Sequence, residues 1–179
     1  MTRARSLADG YFVEPLGSHH DRAAFSCGES TLDGYLCTQA SQEARRSVAV
    51  TFVAVLPEAP RLVAGYYTLA ATGVEAGALP PALVRKLPRY PTLPATLLAR
   101  LAVDERHQGR RLGEHLLVHA LRRALTTSRE VASLAVIVDA IDDRARAFYE
   151  HFEFLVFPDQ PRRLFLPMAT VARLFGERA

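Results

Sequence analysis

Short stretches in which hydrophobic and polar residues alternate recur along the chain, and they are rich in β-branched and aromatic side chains. This period is that of a strand with one buried face. Residues 133–138 (SLAVIV) are almost wholly apolar, which is typical of a central strand buried on both faces. The predicted strands are residues 11–14, 48–56, 62–72, 96–103, 133–138, 155–157 and 163–166.

Other segments repeat their apolar residues every three or four positions, which is the period of an amphipathic helix. Residues 112–125 carry the broadest stripe, and Asp142 is well placed to cap the last helix. Gly34 lies inside the first helical segment and predicts a break there. The predicted helices are residues 29–46, 81–87, 112–125 and 143–152.

Turn residues indicate which strands pair. Residues 57–60 (PEAP) join the second and third strands into an antiparallel hairpin, and residues 158–161 (PDQP) join the last two into a closing pair. Strands and helices alternate between these hairpins. The order predicts an α/β (α+β) fold with a mixed parallel and antiparallel twisted sheet flanked by helices. No linker divides the chain, so residues 1–179 are expected to form a single domain.

Composition narrows the class of protein. Of the 179 residues, 49% are hydrophobic and 23% are charged, which is enough for a packed core. No apolar run reaches the ~18 residues of a membrane span, and residues 1–10 lack the apolar region of a signal peptide. We therefore expect a cytoplasmic protein without a membrane partner. The net charge of +3 is compatible with a polyanionic partner without requiring one.

Cysteine and histidine spacing gives no sign of a metal cofactor. Cys27 and Cys37 lack metal-ligand spacing and are expected to be reduced and packed. His115 and His119 stand four apart, but the His-Glu-x-x-His pattern is absent, so exposed helix histidines are expected. We therefore predict no metal.

A basic, glycine-containing turn joins a predicted strand to the long helix at residues 98–117. The N-terminus of a helix presents unpaired backbone N–H groups and the positive end of the helix dipole, so it binds phosphates readily. Gln108, Arg110 and Arg111 could add side-chain donors to a pyrophosphate. The alternative is an ordinary strand, turn and helix with a solvated basic face.

This turn resembles the acyl-CoA-binding signature of the GNAT N-acetyltransferases, Gln/Arg-x-x-Gly-x-Gly/Ala after the fourth strand. Gln108 and Gly113 occupy its first and last positions, and Arg111 stands where the signature has glycine. We expect Arg111 to keep helical backbone angles and to point its side chain away from the cofactor. The resemblance implies the GNAT acyl-CoA N-acyltransferase fold and acetyl-CoA as co-substrate. The implied acetyl-CoA-binding residues are Leu101, Ala102, Val103, Gln108, Gly109, Arg110, Arg111, Leu112, Gly113 and Asp142.

A second segment, residues 142–154, resembles the GNAT pattern Asn-x-x-Ala-x-x-Phe-Tyr-x-x-x-Gly-Phe. Asp142 replaces the usual Asn, and Glu153 replaces the usual Gly. In GNAT enzymes the tyrosine of this pattern commonly protonates the departing CoA thiolate, so the resemblance implies that Tyr149 is the catalytic general acid. Without that resemblance, a half-buried helix tyrosine would be the default interpretation.

One branch of the family is similar over nearly the whole chain, namely the tRNA-acetylating GNAT toxins of the TacT/AtaT type. Such toxins acetylate the α-amine of aminoacyl-tRNA and halt translation; they are dimeric and are neutralised by a ribbon-helix-helix antitoxin. The resemblance implies the same substrate, antitoxin and homodimer here. It rests on residues 25–36 (FSCGESTLDGYL), 65–69 (GYYTL), 101–104 (LAVD), 138–140 (VDA) and 163–168 (RLFLPM).

No general base stands out in the sequence. Asp104 and Glu105 follow the strand, but surface carboxylates at a turn are the simpler interpretation. An α-amine titrates near ~7.7–8.0 and a lysine near ~10.4, so a lysine costs roughly 3 to 4 kcal/mol more to deprotonate. The missing base therefore favours an α-amine substrate.

Two alternatives stay open at this point. One is a GNAT enzyme that acetylates a small-molecule amine or a protein N-terminus. The other is a catalytically inactive acyl-CoA-binding module, against which the presence of Tyr149 argues. For a tRNA substrate, basic residues outside residues 98–117 would contact the phosphates. The alternative for each of them is a solvated charged residue on the surface. These residues are Arg45, Arg46, Arg85, Lys86 and Arg89.

Overall fold

The computed structural model describes residues 5–6 and 10–177. Most of the N-terminal segment in which we expect no signal peptide lies outside this range. The strands are β1 (Arg5–Ser6), β2 (Phe12–Pro15), β3 (Val50–Val55), β4 (Gly65–Glu75), β5 (Thr92–Val103), β6 (Ala135–Asp139), β7 (Leu155–Phe157) and β8 (Gln160–Pro167). The helices are α1 (Ser30–Thr38), α2 (Ala40–Arg45), α3 (Pro81–Val84), α4 (Leu112–Thr127), α5 (Asp143–His151) and α6 (Met168–Leu174).

The chain divides into two compact units. The first comprises residues up to Ala70 together with Arg100–Ala120, and the second comprises Ala71–Ala99 and Leu121–Ala179. Strands β4 and β5 and helix α4 each contribute residues to both units. The prediction of a single domain over residues 1–179 stays a prediction.

In the first unit the strand order is β1-β2-β3-β4, and the neighbours run antiparallel. The predicted hairpin is confirmed, because β3 pairs with β4 from Val50 opposite Leu69 to Ala54 opposite Gly65. Helices α1 and α2 contribute to a core with the inner faces of these strands. Its buried members are Phe25, Tyr35, Leu36, Ala40, Val53, Val55, Val63, Tyr66 and Ala102.

In the second unit the strand order is β5-β6-β8-β7. Strand β6 pairs in parallel with β5 and antiparallel with β8, so the prediction of a central buried strand is confirmed. The predicted closing pair is also confirmed, since β7 pairs antiparallel with β8. The parallel and antiparallel pairs together confirm the predicted mixed sheet.

The first helical segment differs from its prediction. Gly34 lies in the middle of α1, and the break falls after Thr38, where Gln39 has φ −107° and ψ −39°. Tyr35 and Leu36 are buried directly after the glycine and hold this turn in place. Their packing outweighs the roughly 1 kcal/mol that one glycine costs a helix.

Several element ends also differ from the sequence pattern. Helix α3 is shorter than predicted, β5 begins four residues earlier, and β1 and α6 were not predicted. Both cysteines are free, as expected, but Cys37 is exposed and not packed. Burial raises the pKa of the Cys27 thiol to about 12, which keeps it protonated. None of the helices in the described part of the chain has the length and apolar character of a membrane span.

Candidate active site

The turn between β5 and α4 is shaped by two residues with left-handed backbone angles. A short 3-10 helix, Glu105–His107, leads into Gly109 at φ 75° and Arg111 at φ 59°. The 16-residue helix α4 begins directly afterwards at Leu112. The first N–H groups of an α-helix have no partner within the helix, so this end attracts anions. A Cβ built on Gly109 would meet nothing within 4 Å, and the backbone there is accessible to a ligand.

Arg111 departs from the expected conformation at this position. We expected helical angles, but its φ of 59° is the left-handed conformation that the signature glycine adopts without strain. Its guanidinium donates to Glu114 Oε2 at 2.6 and 2.9 Å, and the expectation that the side chain points away from the cofactor stays a prediction. Arg111 thus adopts, at a cost in backbone strain, a conformation that a glycine at this position would adopt without strain.

Gln108 holds the turn through its side chain. Its amide nitrogen donates to the carbonyl oxygens of Val103 at 3.0 Å and Cys27 at 3.1 Å. These two bonds use both amide hydrogens of Gln108. We expected this amide to donate to a pyrophosphate, but in this structure it has no hydrogen left to do so. Cys27 N–H in turn donates to Asp33 Oδ1 at 2.9 Å. These hydrogen bonds link the segment before α1 to the turn between β5 and α4.

The Asp104 carboxylate accepts four hydrogen bonds at this turn. The prediction of a surface carboxylate is wrong, because Asp104 is only 1% exposed. It accepts hydrogen bonds from the backbone N–H of Ser26 (3.1 Å) and of Arg106 (3.0 Å), and from the Arg106 guanidinium at 2.8 and 2.9 Å. Burial alone would raise the pKa of Asp104, but these hydrogen bonds outweigh burial and lower it. Asp104 is therefore ionised and structural rather than a general base.

Further contacts hold the same turn. Arg106 also donates to the carbonyl of Ala24 at 3.0 Å, and Glu105 N–H donates to the carbonyl of Ser26 at 2.8 Å. On the other side, the hydroxyl of the buried Tyr11 lies 2.8 Å from His107 Nδ1. Glu105 itself is exposed, as expected of a turn carboxylate. None of these ties was predicted from the sequence.

Tyr149 lies in the second unit, on α5, among aromatic rings. Phe148 and Phe154 have ring centroids 5.2 and 5.4 Å from its own. Burial raises the pKa of Tyr149 well above its ordinary value, so the phenol keeps its proton throughout the physiological range. Among the described residues its hydroxyl makes no hydrogen bond, which leaves that group available to a ligand.

Both ends of α5 are capped, and the caps fix Tyr149. At the start, Asp142 Oδ1 accepts from the N–H of Ala145 at 2.7 Å, which confirms the predicted N-cap. At the end, Phe154 N–H donates to the carbonyl of Tyr149 and Glu153 N–H to that of Glu150. This pair of bonds is the Schellman motif, whose C′ residue adopts left-handed angles. Glu153 does so at φ 66°, at the second position where the family pattern has glycine.

Replacing Glu153 by Gly is expected to stabilise the protein by about 0.5–1 kcal/mol. Relief of the left-handed backbone is worth roughly 1–2 kcal/mol, and the added freedom of glycine in the unfolded chain returns about 0.4–1 kcal/mol of it. Thermal unfolding should show a Tm about 2 °C higher. The matched control, Ala147→Gly on the exposed side of the same helix, should lower the Tm instead. A lower Tm for Glu153→Gly would contradict this account of the cap.

The basic residues predicted to contact tRNA are all exposed and lie in two groups. Arg45 and Arg46 are at the end of α2 in the first unit. Arg85, Lys86 and Arg89 follow α3 in the second unit. Exposure meets the first requirement for phosphate contacts in both groups.

The histidines of α4 differ from their prediction. His119 is buried, not exposed, and its Nδ1 lies 2.9 Å from the hydroxyl of the buried Tyr67. His115 is partly exposed. The spacing of four places the two residues on one helix face, but His119 is used for packing within the first unit.

A model of the acetyltransferase (GNAT) domain matches residues 62–155, which contain both the turn between β5 and α4 and Tyr149. The chain belongs to the GNAT acetyltransferase family. It is an acetyl-CoA-dependent N-acetyltransferase. The predicted family and fold are confirmed.

Individual relatives of this acetyltransferase are toxins. A protein named tRNA-acetylating toxin from Mycobacterium tuberculosis (strain ATCC 25618 / H37Rv) is 37% identical over 157 residues, which cover 88% of this chain and 92% of the relative. A solved structure of AtaT complexed with acetyl-methionyl-tRNAfMet has 29% identity and a TM-score of 0.85, covering 92% of this chain and 99% of AtaT. A Tyr-to-Phe mutant of AtaT, bound to acetyl-CoA and the C-terminus of the antitoxin AtaR, has 26% identity and a TM-score of 0.80; the match covers 94% of this chain and 100% of the mutant.

Proposed function

We propose that this enzyme transfers the acetyl group of acetyl-CoA to the α-amine of aminoacyl-tRNA and thereby acts as a toxin that blocks translation. The observation that carries the proposal is the 37% identity to a tRNA-acetylating toxin across 88% of the chain. The AtaT complex with an acetylated aminoacyl-tRNA supports the same substrate class. The remaining steps are assigned to residues of this chain.

The cofactor turn is the proposed holder of acetyl-CoA. The N–H groups of residues 109–113 at the start of α4 would receive the pyrophosphate, with Arg110 and Arg111 as nearby cations. The accessible backbone at Gly109 fits a phosphate approaching closely.

Strand β5 pairs with β6 at Thr96, Leu97 and Leu98 and continues to Val103. We assign the backbone of Leu101, Ala102 and Val103 to the acyl end, where an N–H polarises the thioester carbonyl, and retain Asp142 as an expected cofactor contact.

Tyr149 is the proposed general acid. Acetyl-CoA supplies a thioester; as the amine nitrogen bonds to its carbonyl carbon and the C–S bond breaks, the Tyr149 hydroxyl donates its proton to the sulfur. The amine loses a proton to solvent, and solvent returns a proton to the Tyr149 phenolate. A phenol at ~10 and a thiol at ~8.5 make this transfer uphill by about 2 kcal/mol in water. Burial raises the pKa of the thiol as well as that of Tyr149, so the phenol stays the weaker acid and the proton transfer stays uphill.

The proposal needs no dedicated base. Asp104 is ionised but is occupied by Arg106 and by backbone N–H groups. An α-amine near ~7.7–8.0 is partly neutral at physiological pH, whereas a lysine near ~10.4 is almost wholly charged. The structural role of Asp104 therefore strengthens the preference for an α-amine.

Raising the monovalent salt from 50 to 200 mM is expected to lower kcat/KM for charged tRNA by about 10²-fold. If four of the five exposed basic residues each contact one phosphate, a plot of log kcat/KM against log salt concentration has a slope near −3.6. Initial rates with charged tRNA and with a methionine ester measure the difference, because the ester has no phosphates. Equal salt dependence for the two substrates would point to a small-amine or protein N-terminal acetyltransferase.

Partners and location follow from the same proposal. A neighbouring gene would encode an antitoxin, which we propose to be of the ribbon-helix-helix type, and the toxin would be a cytoplasmic homodimer. The AtaT complex with its antitoxin AtaR supports such a partner. Expression of this chain alone should arrest growth, and co-expression of the antitoxin should restore it. Normal growth with abundant active enzyme would count against the toxin function.

A further inference from the structure

We propose that Glu14, His19 and His20 form a binding site for a divalent late transition-metal ion such as Zn²⁺. The three side chains each offer one ligand atom, and these atoms all lie within 4.8 Å of one another. They lie in the first unit, where β2 ends and the chain turns back. The acetyl-transfer chemistry assigns no role to any of them.

The distances are close to those of a zinc site. His20 Nε2 lies 2.9 Å and His19 Nε2 3.1 Å from the same oxygen, Glu14 Oε1. Tetrahedral zinc with bonds of about 2.0–2.2 Å places neighbouring ligand atoms about 3.3–3.5 Å apart. Outward movements of a few tenths of an ångström would therefore admit the ion. The side chains of Glu14 and His19 are 31% and 56% exposed, so they have room to make them.

The fixed part of the site is His20, whose side chain is fully buried. The Gly17 N–H donates to His20 Nδ1 at 2.9 Å, and the carbonyl oxygen of Gly17 lies 3.2 Å from the same Nδ1. Metal binding at Nε2 moves the ring hydrogen to Nδ1, which then donates to the Gly17 carbonyl instead of accepting from the Gly17 N–H. A backbone carbonyl behind a histidine ligand is a common support in metal sites, because it fixes the ring orientation and the tautomer.

Gly17 also makes room for the second imidazole. A Cβ at this position would lie 2.8 Å from both Cε1 and Nδ1 of His19, so any side chain here would displace the His19 ring. The absence of a side chain lets the His19 ring lie against the loop, with its centroid 3.9 Å from that of His20. Both rings consequently present Nε2 to the same carboxylate.

The ligand chemistry selects the class of metal. Two imidazole nitrogens and one carboxylate suit zinc, nickel and copper, whereas calcium and magnesium prefer oxygen ligands alone. Three protein ligands leave a coordination position that water can fill. Because Glu14 belongs to β2 and the two histidines to the following loop, a bound ion would link this loop to strand β2.

The test is a titration of the tag-free, chelator-treated full-length protein with Zn²⁺ by calorimetry. We expect one ion per chain and a Tm that rises with zinc. His19→Ala should weaken binding at least tenfold and remove the rise in Tm, and this exposed position keeps the variant folded. Glu14→Gln should weaken binding similarly. The matched control, His151→Ala at an exposed position of α5, should bind as the wild type does.

Two results would overturn the proposal. One is the absence of saturable zinc binding to the wild-type protein. The other is equal zinc affinity in the His19→Ala and His151→Ala variants, which would place the ion elsewhere on the chain. Gly17→Ala is a further check that retains all three ligands: it should weaken binding, because its new methyl group displaces the His19 ring.

Discussion

Replacing Tyr149 by Phe should lower kcat for acetyl transfer by about 10²–10⁴-fold, the usual contribution of a positioned general acid. The ring would keep its place between Phe148 and Phe154, because only the hydroxyl is removed. The Tm and the dissociation constant of acetyl-CoA should therefore stay near the wild-type values. Initial rates at saturating acetyl-CoA, together with calorimetric titration of acetyl-CoA, measure these quantities.

A matched control is Tyr90→Phe, since Tyr90 is 63% exposed and has no assigned role. Its rate should equal that of the wild type. Because burial raises the pKa of Tyr149, the phenol stays protonated as the pH rises through neutrality. The wild-type rate should accordingly show no loss from Tyr149 ionisation up to about pH 10. Unchanged kcat in Tyr149→Phe would remove its proposed role.

Replacing Asp104 by Asn should destabilise the protein by roughly 2–4 kcal/mol and raise KM for acetyl-CoA. The Asp104 carboxylate accepts hydrogen bonds from Ser26 N–H, from Arg106 N–H and from the Arg106 guanidinium. In the variant, an NH₂ group replaces one carboxylate oxygen and cannot accept from these donors. Each buried donor left without an acceptor costs about 1–3 kcal/mol. Denaturant unfolding and acetyl-CoA kinetics measure the two effects.

The neighbouring carboxylate supplies the control for Asp104. Glu105 is exposed and its carboxylate accepts a long bond of 3.4 Å from the Ser26 hydroxyl, so Glu105→Gln should change stability by less than about 0.5 kcal/mol. Asp104 has a lowered pKa in the folded state, so its contribution is present above its unfolded pKa of about 3.9 and is lost as the pH falls below it. Equal stability of the two variants would show that the hydrogen bonds accepted by Asp104 do not stabilise the protein.

Periodicity predicted the strands because it reports burial, and turn residues predicted the two hairpins because they mark where the chain reverses. Residues 133–138 were assigned to a central strand by their apolar run, and β6 confirms this. Helix α6 was missed because it is only seven residues long, which is too short for a helical repeat of apolar residues to be recognised. The break in the first helix was misplaced because packing of Tyr35 and Leu36 overrides the local preference of Gly34.

The site was only partly predictable, for a different reason. The motifs at residues 25–36 and 101–104 were both recognised, yet the hydrogen bond from Ser26 to Asp104 joins residues 78 positions apart. No local pattern encodes such a contact. The left-handed angles at Arg111 and Glu153 were also hidden, because neither residue type favours them. Their only signal was that each replaces a glycine of the family pattern.

The most direct test of the proposed function is to incubate the purified enzyme with labelled acetyl-CoA and charged total tRNA, digest the RNA and analyse the products by mass. The account predicts N-acetylaminoacyl-adenosine with the wild-type enzyme and none with Tyr149→Phe, and the mass identifies the amino acid. Bound acetyl-CoA with unmodified aminoacyl-adenosine, alongside rapid acetylation of a free amine or a protein N-terminus, would contradict it.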